Sequence, residues 1–238
     1  MNLPHDSWAE VYDLAYIEEF GELYQHITDI TLAAVKRIAP TDARIVDFGA
    51  GTGRLAIPLA KAGYRVTAVE PSSAMLDHIR GSEIGAQVTC VQCAMQDFTS
   101  DVHFDLAMCV FTVVIYLLDE ASLIRAFRAA AGALKVGGHL LIDVPSRMTF
   151  RNRRATRPNL RRTVNVSALD GSLYLYEDHI AVETNGQTRT YSDTFRIRCW
   201  DAEDVITAAQ ANGFVVEETL TQEFAMTGSH YLLLSRIN

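Results

Sequence analysis

Ala43-Arg44-Ile45-Val46-Asp47-Phe48-Gly49-Ala50-Gly51-Thr52-Gly53-Arg54 is the stretch that decides the fold. Ile45 and Val46 form an apolar run too short for a helix and bounded by an acid, which predicts a buried strand delivering Asp47 into a turn. Gly49, Gly51 and Gly53 follow at every second position, where the backbone can take dihedrals closed to side chains and a ligand can approach the main chain. Leu55, Ile57, Leu59 and Ala60 continue an apolar pattern, so a helix is expected from Arg54 to Ala62, stopped by Gly63. Its first turn leaves unpaired N–H groups beside the glycine loop.

A dinucleotide-binding turn has the same strand, loop and helix, but it wants G-x-G-x-x-G and a pyrophosphate on the helix N-terminus. Here the third glycine slot holds Arg54. Asp47, two residues ahead of the glycines, would repel a pyrophosphate and attract an ammonium group. The segment thereby resembles the nucleotide-binding motif of the class I methyltransferases, whose cofactor, S-adenosylmethionine, ends in an amino acid and carries no phosphate. The resemblance implies an α/β fold with a seven-stranded, mostly parallel, Rossmann-like sheet. It also implies that Asp47, Gly49, Ala50, Gly51 and Gly53 line the cofactor. A nicotinamide oxidoreductase is the rival that the glycine spacing disfavours.

Tyr64 to Glu70 reads as a second strand, and Glu70 lies twenty-one residues after Gly49, where an acid can accept both ribose hydroxyls. Pro71-Ser72-Ser73 caps the next helix and brings Met75 toward the adenine position. A third strand, Gln87 to Gln92, runs into Cys93-Ala94-Met95-Gln96-Asp97-Phe98. Related enzymes carry A-D-M-x-D-F here, the first acid taking the adenine amino group and the next main-chain N–H meeting the ring. Ala94 stands in place of that acid, which leaves the main-chain contact at Met95 and passes the amino-group contact to Gln96 or to no residue. That departure keeps open a second reading, a non-catalytic module that binds S-adenosylmethionine or S-adenosylhomocysteine.

The fourth strand, Phe104 to Phe111, would add Val110 and Phe111 to the cofactor site, and Asp119 caps a helix running to Lys135 before a fifth strand, His139 to Val144. Phe104 to Leu117, F-D-L-A-M-C-V-F-T-V-V-I-Y-L, resembles the corresponding run in methyltransferases of glycine-like and amino-sugar amines, with Tyr116 its polar tip. The Asn/Asp-Pro-Pro-aromatic run of the DNA-base methyltransferases does not follow this strand.

Two helices are expected before the glycine loop. In the first, Tyr12-Asp13-Leu14-Ala15-Tyr16 matches the Y-D-x-x-Y that closes over the cofactor in related small-molecule enzymes; an aromatic stripe packing on the core is the competing reading. Beyond the fifth strand, Arg147, Arg151, Arg153, Arg154, Arg157, Arg161 and Arg162 occur with no acid among them. They read either as a solvated connector or as a clamp for an anionic group, with Arg147, nearest the strand end, the candidate for substrate contact. Thr163 to Leu169, Ser172 to Glu183 and Thr188 to Arg198 then alternate with period two around Asp170-Gly171 and Asn185-Gly186, which predicts three antiparallel strands. One face would match Tyr174, Tyr176 and Ile180 with Tyr191, Phe195 and Ile197. This inserted sheet is a place for substrate specificity or for a homodimer contact. From Asp201 a helix and a closing hairpin, Phe214 to Thr219 with Tyr231 to Ile237, return to the core. The expected units are therefore 1–146 (N-terminal helices and cofactor core), 147–200 (insert) and 201–238 (return to the core).

With 238 residues, 49% of them hydrophobic, the chain suits one α/β domain with an elaboration. Cys109 to Leu118, the longest apolar run, is half of what a membrane span needs, and Met1 to Ala9 lacks the basic segment of a signal peptide, so no membrane association and a cytoplasmic setting are expected. Four cysteines are too few and scattered for a disulfide framework, and Cys90-x-x-Cys93 lacks the further ligands of a zinc site, so no metal is expected. A net charge of −8 argues against a nucleic-acid partner. The expectation is N- or O-methylation of a small molecule from S-adenosylmethionine, with Tyr12, Tyr16 and Tyr116 positioning it. No residue declares itself a general base; His103, His139, His179 and His230 are the candidates.

Overall fold

The computed structural model describes residues 3–184 and 186–238. A 3-10 segment, Asp6–Val11, leads into α1 (Tyr12–Phe20) and α2 (Glu22–Ile38). The core then alternates β1 (Arg44–Phe48), α3 (Ala56–Lys61), β2 (Arg65–Val69), α4 (Ser73–Arg80), β3 (Thr89–Val91), β4 (Phe104–Cys109), α5 (Glu120–Ala133) and β5 (Leu134–Val144). Four strands follow, β6 (Arg153–Arg157), β7 (Leu160–Asp170), β8 (Leu173–Thr184) and β9 (Gln187–Arg198), before α6 (Ala202–Gln210), β10 (Phe214–Thr219) and β11 (His230–Arg236) close the chain.

The main sheet has seven strands in the order β10-β11-β5-β4-β1-β2-β3, parallel but for β11, which pairs antiparallel with both neighbours. This is the expected class I methyltransferase fold. Ile45, Val46, Asp47 and Phe48 are all buried, because β1 is central and covered on both faces. The chain leaves β1 toward β2 on one side and returns to β4 on the other, so a crevice opens outside the carboxyl ends of β1 and β4. Asp119 caps α5 with its carboxylate on the Ser122 N–H at 2.6 Å, and Ser72 caps α4 through the Met75 N–H at 3.1 Å.

Three local expectations are corrected. Helix α3 starts at Ala56 rather than Arg54, because the residues after Gly53 (φ +92°) still belong to the turn. Strand β5 starts at Leu134 rather than His139, since Gly137-Gly138 continues the strand, with Lys135 to Gly137 exposed and Gly138 buried. The arginine-rich stretch is no connector: Arg153–Arg157 is a strand, so the second sheet has four strands, β6-β7-β8-β9, not three.

The aromatic register is as expected, with Tyr174 opposite Ile197, Tyr176 opposite Phe195 and Ile180 opposite Tyr191. Gly171 (φ +52°) sits in the β7–β8 turn; Asn185 of the next turn lies outside the described residues. Tyr176 and Phe195 stack with centroids 4.8 Å apart and join the core cluster formed with α5 and α6. Leu160, Ile180 and Val182 pack instead on Trp8, Val11 and Ala15, which fastens the N-terminal segment to this sheet.

Candidate active site

The three glycines of the loop do different things. A Cβ on Gly49 would meet Val113 Cγ2 at 2.5 Å and one on Gly53 would meet Ile79 Cγ1 at 2.7 Å, so both are packing requirements. Among the described residues nothing lies within 4 Å of that position at Gly51 (φ +54°), which faces open space. The Gly51 N–H donates to Glu70 Oε2 at 3.1 Å, and the Ser72 N–H donates to Glu70 Oε1 at 3.0 Å, which fixes the carboxylate beside the open side of the loop. Burial raises the Glu70 carboxyl, and the two N–H bonds partly offset it. Asp47, buried at the end of β1, is pushed up to about 7 by burial first and by Glu70 second.

The N-terminal segment reaches over this loop. Thr52 Oγ1 donates to Asp13 Oδ1 at 2.8 Å, and Ser72 Oγ donates to Asp6 Oδ1 at 2.5 Å. Pro71 follows Glu70 half-buried, Met75 is buried within α4, and Met95 is buried on a 3-10 turn whose neighbours Ala94 and Gln96 are partly exposed. Val110 is buried at the end of β4, and the next two residues, Phe111 (φ +63°) and Thr112 (φ +72°), are both left-handed without being glycine. Such a pair costs energy and persists only where the surroundings enforce it. Here the buried Asp143 carboxylate enforces it by accepting the Thr112 N–H at 3.0 Å, and burial pushes Asp143 up to about 7.

Beside this turn lies a cavity of about 350 Å³, a size suited to a small ligand. Tyr12, Tyr16 and Tyr116 all line it, together with His5, Tyr24, Arg54, Phe111, Thr112, Asp143, Arg153, Tyr176, Phe195 and Tyr231. Tyr12 and Tyr16 are one helical turn apart with ring centroids 4.6 Å apart, so the stripe on α1 serves the cavity wall as well as the packing. Loop and cavity share a wall, because Val113 packs on Gly49 while Phe111 and Thr112 of the same turn face the cavity.

Arg147 is not part of that wall. It is 76% exposed and pairs with Asp201 at 3.3 Å; Arg153 takes the place expected of it, bonding Tyr176 Oη at 2.6 Å and Glu19 Oε1 at 3.0 Å. The four candidate histidines are elsewhere: His139 pairs with Glu217 and His179 with Ser192, while His103 and His230 are exposed. The histidine in the wall is His5, whose Nε2 lies 2.7 Å from Tyr116 Oη and whose N–H donates to Asp193 Oδ2 at 2.6 Å. Burial, then Arg162 and Arg153, lower it to about 3, so it is neutral at physiological pH. A lone histidine ahead of Trp8 carries no sequence signal of this; the side chains around it come from distant strands.

Replacing Gly51 with leucine is expected to abolish nucleoside binding while leaving the melting temperature within a few degrees of wild type. Its side chain would enter ligand space, and the positive φ adds strain of about 1–2 kcal/mol. Calorimetric titration with S-adenosylhomocysteine checks this; an unchanged affinity would take Gly51 out of the site.

Residues 45–138 match the family model described as a methyltransferase domain. Over 146 residues the chain is 32% identical to a putative methyltransferase of Geobacillus sp. (strain WCH70), a match covering 60% of this chain and 58% of that protein. The chain spans a little over half the length of the curated relatives it matches. An S-adenosylmethionine-dependent methyltransferase from Clostridium acetobutylicum ATCC 824 shares the fold with a TM-score of 0.83 at 15% identity, over 96% of this chain and 99% of that one. The sugar N-methyltransferase KedS8 from Streptoalloteichus sp ATCC 53650 does so with a TM-score of 0.76 at 26% identity, over 100% and 97%. Seven strands in this order, with the glycine loop after β1 and the acid after β2, are those of the class I S-adenosylmethionine-dependent methyltransferase fold, and residues 45–138 of the chain are similar to a methyltransferase domain.

Proposed function

We propose that the chain methylates an amine nitrogen of a small molecule held in the tyrosine-lined cavity. The observation that carries this is the shared wall: the turn that packs on Gly49 through Val113 also lines the cavity through Phe111 and Thr112. The residues fit the cofactor. The open side of Gly51 is a cradle that a Cβ would fill, Glu70 offers its carboxylate to ribose hydroxyls, and Asp47 offers negative charge to an ammonium group. Met95 and Val110 supply apolar surface for an adenine. When bound, S-adenosylmethionine supplies a methyl group already activated by its sulfonium.

What the protein must add is alignment in a dry site, an effect that can reach ~7–11 kcal/mol of the barrier. Tyr12, Tyr16 and Tyr116 wall the cavity, and neutral His5 fixes the Tyr116 hydroxyl. An amine must arrive without its proton, and Asp143, pushed up to about 7 on the same wall, is suited to receive it at neutral pH. The 26% identical KedS8, a sugar N-methyltransferase, supports a nitrogen acceptor, while a 31% identical ubiquinone biosynthesis O-methyltransferase of Xylella fastidiosa (strain M23) supports oxygen as the second reading. Ala94 favours a third reading, a binding module without turnover. With this proposal go a cytoplasmic setting, no nucleic-acid partner, supported by the net charge of −8, and self-association through the second sheet, supported by that sheet lying outside the matched domain.

The test is to incubate the protein with labelled S-adenosylmethionine and a panel of amino sugars, small amines and their hydroxyl counterparts, following S-adenosylhomocysteine release. Turnover confined to the amines supports the proposal. Turnover confined to hydroxyls overturns the nitrogen assignment, and tight cofactor binding without turnover of any compound favours the binding module.

A further inference from the structure

Arg54, the residue in the slot where a dinucleotide fold has its third glycine, is a half-buried cation lining the cavity. Its Nε donates to Thr28 Oγ1 at 2.7 Å and its Nη2 to the Tyr24 carbonyl at 2.5 Å. Its guanidinium lies 3.6 Å from the Tyr24 ring centroid and 3.8 Å from that of Phe111, held flat between two aromatic faces. Among the described residues no carboxylate lies within 4.0 Å of it, and its Nη1 makes no hydrogen bond. Arg153 and Arg162, by contrast, share the Glu19 carboxylate.

A guanidinium removed from water without a counter-ion is costly, and burial lowers its proton affinity accordingly. The structure nevertheless spends two hydrogen bonds and two rings on fixing its plane. Stacking occupies both faces and the Nε–Nη2 edge is used, so the edge made by Nη1 and the second Nη2 proton remains. Two parallel N–H groups on that edge match the two oxygens of a carboxylate.

We propose that Arg54 is the carboxylate-binding fork of this cavity, completed by a ligand rather than by the protein. Two ligands could bring the carboxylate: the amino-acid end of the cofactor, since Arg54 directly follows the glycine loop, or an acidic group on the substrate. The inference rests on the methyltransferase reading for the first source. It moves the anion-binding role from the exposed Arg147 to a residue with fixed geometry.

The test uses the full chain and Arg54→Gln, titrated with S-adenosylhomocysteine, with 5′-methylthioadenosine, which keeps nucleoside and thioether but lacks the amino-acid end, and with benzoate added to the S-adenosylhomocysteine complex. Loss of about 30-fold in S-adenosylhomocysteine affinity with 5′-methylthioadenosine unaffected supports the fork and assigns it to the cofactor. Unchanged nucleoside binding with about a 10-fold loss for benzoate supports the fork and assigns it to the substrate. Equal losses for both nucleosides, or no change with any probe, overturn it. Should circular dichroism show Arg54→Gln unfolded, Arg54→Lys, which keeps the charge but not the fork, is judged by the same comparison. Wild-type protein that binds neither nucleoside would overturn the methyltransferase reading and this inference together.

Discussion

Arg162→Met is expected to destabilise the chain by about 3–5 kcal/mol, the cost of removing one partner from a buried ionic network. Arg162 is 1% exposed, and its Nε and Nη2 grip Asp178, 0% exposed, at 3.1 and 2.7 Å. Its Nη1 reaches Glu19 Oε2 of α1 at 2.7 Å, and its guanidinium lies 5.0 Å from the Trp8 ring and 4.8 Å from that of Tyr16. Methionine would fill much of the volume but leave the Asp178 carboxylate desolvated without a cation and Glu19 with Arg153 alone. Because Glu19 sits on the helix that carries Tyr12 and Tyr16, the loss should also loosen the cavity wall. Adding Asp178→Leu to the same chain, which leaves the Glu19–Arg153 pair intact, should recover most of the stability, since an apolar replacement of both partners of a buried pair is far cheaper than of one. Urea unfolding of the variants measures both effects; a loss under 1 kcal/mol for Arg162→Met would show the network to be a surface-like contact.

The second large effect is at Asp47, where stability and binding should move in opposite directions. Its carboxyl sits at about 7 in the fold against 3.8 without the fold's influence. A group raised in this way favours the folded state at low pH. That contribution is fully present below pH 3.8 and is lost as the pH climbs toward 7, where the folded carboxyl finally ionises. Asp47→Asn removes the ionisation, so at pH 7 the ligand-free variant should be more stable than wild type by up to roughly 4 kcal/mol. The fall in stability of wild type between pH 4 and 7 should shrink without vanishing, because Asp143 has the same shift and sign. A cationic amino group beside Asp47 favours the ionised form, so wild-type affinity for S-adenosylhomocysteine should rise between pH 6 and 8. The variant should bind at least about 10-fold more weakly with that rise removed. Urea unfolding and calorimetry across this pH range test it, and a less stable variant with undiminished affinity would show Asp47 to be a structural acid.

The parts of this molecule that were legible in its sequence are those decided by local chemistry. Strand β1 and the glycine loop, the Asp119 and Ser72 caps, and the pairing of Tyr176 with Phe195 all follow from short-range periodicity or turn residues. Strand β6 was hidden because its residues, Arg153 to Arg157, are four-fifths polar. Its inward positions are matched by Glu19 and Tyr176, which the sequence does not place beside them. Arg162 escaped for the same reason, since a fully buried arginine is paired by residues 16 and 143 positions away. His5 and Asp143 belong to the cavity only once β5, the β4 turn and the second sheet have come together. The tyrosines were legible as a helical face but not as a cavity wall, because packing and lining use the same stripe.

Calorimetric titration of the purified wild-type chain with S-adenosylhomocysteine and, in parallel, with NADH tests most directly whether the loop after β1 is a methyltransferase cofactor site. The account predicts one saturable S-adenosylhomocysteine site per chain and no heat from NADH; saturable NADH binding, or no S-adenosylhomocysteine site, would contradict it.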